Sequence, residues 1–223
     1  MIISDSGIYK TPKEALKAVF GYDSFRPGQE AVINAILEGR DILAVMPTGA
    51  GKSLCYQVPA MLLSGITLVI SPLISLMQDQ VKALNEAGVN AAFINSSLSE
   101  KELNDTFKNA YKGHYKIIYV APERLMSEGF ISFAKSVEIS MVTVDEAHCI
   151  SQWGQDFRPS YMDIAEFINI LDKRPIISAF TATATQNVRE DIICSLGLSD
   201  PYFLVTGFDR ENLFFQVDRP QNK

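Results

Sequence analysis

One junction restricts this chain more than any other: the short apolar run DILAVM (41–46) passes directly into the glycine-rich stretch PTGAGKS (47–53), and helical spacing follows. A strand, a tight loop and a helix in that order form the first half of a parallel unit, because parallel neighbours need a long crossover between them. Four further β-like runs follow at TLVIS (67–71), KIIYVA (116–121), MVTVDE (141–146) and IISAFTA (176–182), each separated from the next by a segment with helical spacing. Strands that are apolar throughout, rather than on alternate residues, are covered on both faces. The expected fold is α/β, a parallel sheet with helices on both faces.

Local signals set the helices. Thr11, Pro12 and Glu14 combine a capping hydroxyl, a proline at the first helical position and a reciprocal carboxylate, which predicts a helix to Phe20 that Gly21 ends. Pro27 starts a second helix through Leu37. Leu73, Leu76, Met77, Val81 and Leu84 share one face of a helix that stops before Gly88, and Ser99 with Glu102 forms a capping box ahead of a helix to about Lys112. No repeat, low-complexity tract or Pro/Gly/Ser linker divides the 223 residues, which therefore read as one domain: a helical element over 1–38 and an α/β core over 39–217.

Composition narrows the function classes. No run of about 18 apolar residues occurs and the N-terminus lacks a secretory pattern, which predicts a soluble, intracellular chain with no membrane partner. Cys55, Cys149 and Cys194 are scattered, without a C-x-x-C pair, and the histidines number two, His114 and His148; this argues against a zinc site or a disulfide framework. The net charge of -6 has the wrong sign for a protein whose whole surface attracts phosphate backbones. A groove can still carry a local basic field, so any strand contact should be weak and salt-sensitive.

Met46, Pro47, Thr48, Gly49, Ala50, Gly51, Lys52 and Ser53 fit the spacing G-x-x-x-x-G-K-[ST], with Met46 where the first glycine is usual. Gly49 and Gly51 let the backbone turn tightly and aim N–H groups at phosphate oxygens, and the helix that follows adds its positive end. Lys52 would reach the β- and γ-phosphates of ATP, and Ser53 would offer its hydroxyl to Mg²⁺. A glycine turn with a solvated lysine has the same composition, but not the strand before it and the helix after it. Such a site also needs a carboxylate at the end of a neighbouring buried strand. MVTVDE supplies Asp145 for the magnesium shell and Glu146 as general base for the attacking water. His148, taken alone, reads as a hydrogen-bonded structural histidine more readily than as a catalytic one.

With Asp145, Glu146, Ala147 and His148 in that order, the chain resembles the superfamily 2 helicases of the DEAH-box spelling, and more finely the RecQ family of DNA helicases, over roughly residues 16–217. The resemblance implies a RecA-like P-loop NTPase lobe. It implies that FGYDSFRPGQ (20–29) recognises adenine through Tyr22, Arg26 and Gln29; their stacking surfaces and the two-way amide suit that role. VISPLISLMQDQ (69–80) and YVAPERL (119–125) are similar to the family's two strand-contacting motifs, and SAFTATAT (178–185) to its coupling motif. The hydroxyls of Ser71, Thr181 and Thr183 suit phosphate contacts, although each alone would more often cap a helix.

HCISQWGQDFRPSY (148–161) resembles the aromatic-rich loop that couples DNA binding to hydrolysis, which assigns His148, Gln152, Trp153, Phe157 and Arg158 to that task. Two physical readings of the rings stay open. A base stacked on Trp153, worth about 1–3 kcal/mol, would justify an apolar ring in a polar loop; alternatively Trp153 and Phe157 plug the core beneath it. Gln155 stands where the family normally has a histidine, and an amide can bond to a neighbouring acid but cannot become cationic.

The resemblance further implies ATP and Mg²⁺ as cofactors, single-stranded and partly duplex DNA as partners, and 3′ to 5′ unwinding in repair and recombination. It also implies a second RecA-like lobe that brings an arginine finger, following FDRENLFFQV (208–217), where Glu211 replaces the family's usual proline. On this resemblance the 223 residues are expected to correspond to the first lobe, with nucleotide binding and slow hydrolysis expected of them alone. Two other readings fit the same nucleotide chemistry: an ATP-gated nucleic-acid-binding module without unwinding, and an RNA helicase.

Overall fold

The computed structural model describes residues 9–154 and 156–207. The five apolar runs become β1 (Ile42–Val45), β2 (Ile66–Ile70), β4 (Ile117–Val120), β5 (Ile139–Val144) and β6 (Ile176–Thr181), and two strands not foreseen from sequence, β3 (Ala91–Ile94) and β7 (Tyr202–Val205), complete the sheet. Every pairing is parallel, in the order β3-β4-β2-β5-β6-β1-β7. The two unforeseen strands are the two edges. β3 is short and half alanine, and β7 alternates half-buried Tyr202 and Leu204 with exposed Phe203 and Val205. Each owes its strand geometry to a single neighbouring ladder rather than to a buried apolar run of its own.

The helices are α1 (Pro12–Phe20), α2 (Gln29–Leu37), α3 (Lys52–Leu62), α4 (Ile74–Glu86), α5 (Glu100–Tyr111), α6 (Glu128–Ser136), α7 (Asp163–Ile170) and α8 (Gln186–Leu196). The caps at Thr11 and Ser99 form as expected, Thr11 Oγ1 accepting from Glu14 N and Ser99 with Glu102 closing a full capping box. Glu14 itself accepts from Lys10 N rather than closing a box on Thr11. α2 begins at Gln29, two residues beyond the expected Pro27, because Gly28 is left-handed at φ 84°. A Cβ on Gly28 would lie 2.9 Å from Leu204 Cδ2, so the chain turns tightly under β7 before the helix starts. On α4, Met77, Val81 and Leu84 are buried, whereas Leu73 precedes the helix and is exposed.

One apolar cluster joins α5, α6, α7 and α8 to one face of the sheet through residues such as Ala110, Phe130, Phe133, Phe167 and Ile192. The other joins α1, α2, α3 and α4 to the opposite face through Leu16, Val32, Tyr56, Val58 and Met77. Each fully buried Phe or Leu contributes about 1.5–3 kcal/mol, which holds both helical layers on the sheet. α1 and α2 therefore share the second core with α3 and α4. At the amino edge of the sheet, buried Asp41 accepts from Arg174 Nη1 and Nη2 at 3.1 and 2.6 Å, from Ile177 N at 3.0 Å and from Ser199 N at 2.8 Å. That carboxylate ties β1, β6 and the approach to β7 together, so the loops at their carboxyl ends share one frame. Among the described residues no helix is long and apolar enough to cross a membrane.

Candidate active site at the carboxyl edge of the sheet

Open parallel sheets place ligand sites outside the carboxyl ends of their strands. Here β5, β6 and β1 are adjacent, so the loops that leave them, 145–150, 181–185 and 46–53, converge. Met46 N donates to Thr181 O at 2.9 Å and the side chain is buried. Methionine fits where glycine is usual because the sharp turn comes later, at Gly49 (φ 86°) and Gly51 (φ 82°). Gly51 is the N-cap of α3 and offers no side-chain cap, which leaves the helix start to a ligand. Lys52 Nζ donates to Met46 O at 3.2 Å across the loop.

Gln29, 1% exposed, is built into the same loop: its Nε2 donates to Ala50 O at 3.2 Å and Gly51 O at 3.1 Å, and its Oε1 accepts from Arg26 N at 2.9 Å. Arg26 Nη1 donates to Gly49 O. A Cβ on Gly51 would meet Gln29 Nε2 at 2.5 Å, so the glycine is needed for this contact as well as for its φ. Two of the three residues expected at adenine, Arg26 and Gln29, thus hold the glycine-rich loop in shape, a role the sequence did not reveal. Tyr22 is 53% exposed and faces the same cleft. This cleft of about 550 Å³ gathers Tyr22, Arg26, Gln29, Thr48, Gly49, Gly51, Lys52, Ser53, Asp145 and Glu146; Met46, Pro47 and Ala50 shape the loop without lining it.

Asp145 follows β5 and is 7% exposed. Burial, with Glu146 beside it, pushes its carboxyl up to about 6, against the opposing pull of the Glu146 N–H, Lys52 and His148. Glu146 N donates to Asp145 Oδ1 at 3.0 Å, and Tyr161, which the sequence did not mark, donates its hydroxyl to Asp145 O at 2.9 Å. Glu146 occupies the left-handed region at φ 49°, a strained backbone for a non-glycine residue of the kind that clusters at functional sites. The hydrogen bond from His148 holds the Glu146 carboxyl below its ordinary value. The Cys149 thiol and the Glu146 carboxylate push His148 up to about 10. Of the two, the carboxylate at 3.3 Å is the stronger physical cause, since the sulfur lies 3.9 Å away.

His148 Nδ1 also lies 2.9 Å from Thr181 Oγ1, which donates to Thr183 O at 3.0 Å and accepts from Thr183 N at 3.3 Å. Thr181 is fully buried, so its hydroxyl is not free to meet a strand phosphate; it links the acidic turn to the 181–183 turn. Ser71 is buried too, its hydroxyl without a hydrogen-bond partner among the described residues, whereas Thr183 and Gln152 are exposed.

Trp153 is 76% exposed, which removes the core-plug reading for that ring; Phe157 is half-buried. Arg158 donates to Pro72 O at 3.2 Å and pairs with Asp156, tying the aromatic-rich loop to the turn after β2. Gln155, Glu211 and the segment 208–217 lie outside the described residues.

Residues 26–191 match the DEAD/DEAH box helicase family. The chain is 50% identical over 205 residues to the ATP-dependent DNA helicase RecQ of Bacillus subtilis, covering 92% of this chain and 35% of that protein. It is 47% identical over 208 residues to the ATP-dependent DNA helicase RecQ of Pasteurella multocida, covering 93% and 33%. The chain therefore spans about a third of the length of these curated relatives. Among solved structures, the Mycobacterium smegmatis helicase Lhr, bound to ssDNA and AMP-PNP, is similar with a TM-score of 0.69 over 89% of this chain and 28% of that one; at 18% identity this speaks for the fold. Matched over most of its length and sharing the RecA-like sheet of these structures, the chain belongs to the DEAD/DEAH box helicase family.

Proposed function

We propose that the chain is the ATP-binding lobe of a 3′ to 5′ DNA helicase that couples ATP hydrolysis to single-strand translocation and duplex unwinding. The observation that carries this reading is the one cleft that gathers an exposed aromatic ring, the phosphate loop and two acids. Tyr22 offers a stacking face to adenine. Lys52 exchanges Met46 O for the β- and γ-phosphates, and the start of α3 supplies N–H groups to them. Glu146, kept ionised by His148, is the base that takes the proton of the attacking water.

The donor set suits Mg²⁺. Among the described residues the only hydrogen bond to the Asp145 carboxylate comes from Glu146 N, so burial leaves its charge under-compensated, and Ser53 lines the same cleft. No group of three or more His, Cys, Asp or Glu there could hold a metal, whereas magnesium needs only one or two protein oxygens beside phosphates and water. Asp145 and Ser53 would hold the ion, which when bound would neutralise charge on the phosphates.

The strand would run along the same edge of the sheet, where Trp153, Gln152 and Thr183 are exposed. Arg26 is the one arginine among the described residues that line the cleft, and it is held to Gly49 O. A transition-state arginine from a second lobe is worth orders of magnitude in rate. Steady-state ATP hydrolysis with Mg²⁺, with and without single-stranded DNA at low salt, tests this division. Near-background, DNA-insensitive turnover of these 223 residues is the expected result. Robust DNA-stimulated turnover would show that the site is completed within the chain or by self-association. Tighter binding of RNA than of DNA of the same sequence would move the reading to an RNA helicase.

A further inference from the structure

Ser151, buried directly after the acidic turn, is the hub of the loop that carries Trp153. Its N donates to His148 O at 3.2 Å and its O accepts from Gly154 N at 2.9 Å. Its hydroxyl accepts from Trp153 N at 3.2 Å and donates to Asp191 Oδ2, on α8, at 2.6 Å. A hydroxyl has one proton, so the acceptor that takes it decides where the lone pairs point. A carboxylate is the strongest acceptor on offer, and the short distance is that of a charge-assisted bond. Gly154 closes the loop tightly, since a Cβ there would lie 2.4 Å from His148 O.

α8 starts where the 181–183 turn ends, with Thr185 capping it, so Asp191 stands on the element that continues from the turn bonded to His148. Between them lies a small cavity of about 90 Å³ lined by His148, Trp153, Gly154, Thr183, Ala184 and Val188, among others. An indole with so much exposed apolar surface gains by folding onto such a wall unless its backbone is held away from it.

We propose that Asp191 is a positioning residue: through the Ser151 hydroxyl it fixes the Trp153 backbone and keeps the indole presented to a DNA base. The inference rests on the strand-contacting role of Trp153 proposed above. Asp191 lines neither the cleft at the phosphate loop nor the small cavity beside Trp153, and its effect passes through Ser151.

Trp153 is the only tryptophan in the chain, so selectively excited tryptophan emission reports this loop alone. The test compares the chain with Asp191→Ala, Asp191→Asn, Ser151→Ala and the Asp191→Ala/Ser151→Ala pair. It measures emission maximum, acrylamide quenching, single-stranded DNA affinity, ATP·Mg²⁺ affinity and Tm. Asp191→Ala should shift emission to shorter wavelength, lower the quenching constant and weaken DNA binding about tenfold, the scale of losing one hydrogen bond to a charged group. ATP·Mg²⁺ affinity should hold.

Asp191→Asn keeps an oxygen acceptor and should retain the parent spectrum. Ser151→Ala should reproduce Asp191→Ala, and the pair should be no worse than either alone. If Asp191→Ala does not fold, Ser151→Ala removes the same bond from the loop side and gives the readout. Unchanged emission and quenching in folded variants would overturn the proposal, as would equal losses of Tm and nucleotide affinity in the Ala and Asn variants. Parent fluorescence that ignores DNA would overturn the strand role of Trp153, while quenching without DNA still decides what Asp191 does.

Discussion

At the phosphate loop the residue types had to be those present, but their partners came from elsewhere in the chain. Lys52 sits beside the acids and among the described residues bonds only to Met46 O, an exchangeable carbonyl, so replacing it leaves the fold intact while removing the cation that would meet the phosphates. Lys52→Ala should weaken ATP·Mg²⁺ binding about a hundredfold, the scale of one to two charge-assisted hydrogen bonds, with Tm within a few degrees; titration calorimetry with a thermal melt checks both. Trp153→Ala is the complementary case. The ring is exposed and outside the nucleotide cleft, so ATP affinity should stay within about twofold while single-strand affinity drops by roughly tenfold, the loss of one stacked base. Loss of ATP binding in that variant would instead assign the ring a packing role. The sequence pointed to both residues; it did not show whether Trp153 faces solvent or the core, because a glycine-containing polar loop is compatible with either.

At the scale of elements, the central strands were legible because they are buried on both faces and apolar throughout. The edge strands were not, since Ala91–Ile94 and Tyr202–Val205 are strands only by virtue of the ladders they join. The start of α2 shifted for a similar reason: Pro27 is a good first helical residue, but Gly28 must turn beneath Leu204, a contact 176 residues away that no local signal contains. Asp41 shows the energetic counterpart. Its carboxylate accepts from Arg174, Ile177 N and Ser199 N, so Asp41→Ala leaves two backbone donors without their acceptor and a half-exposed guanidinium with only the carbonyls of Gly197 and Pro175 among the described residues. A loss of about 3 kcal/mol is expected, which for a chain of this size lowers Tm by roughly 6–12 °C in calorimetry. A change below 2 °C would mean that water replaces the carboxylate at no cost.

For the whole molecule, the net charge of -6 limits what a strand can gain from counterion release. With about three phosphate contacts, single-strand affinity should fall by roughly an order of magnitude between 50 and 200 mM salt, from a slope near 0.7 per contact. A much steeper fluorescence-anisotropy titration would reveal a basic groove that the composition hides. By itself the sequence determined the α/β class and the places of the glycine-rich loop and the acid pair, because strand burial and loop chemistry are written in consecutive residues. Only the tertiary structure decided that Gln29 and Arg26 shape the loop, that Thr181 links to His148 and not to solvent, and that Ser151 joins Trp153 to Asp191. Those contacts join residues from 2 to 40 positions apart, and the packing of α2 on α3 and of α8 on the 147–150 turn brings the distant ones within hydrogen-bond reach.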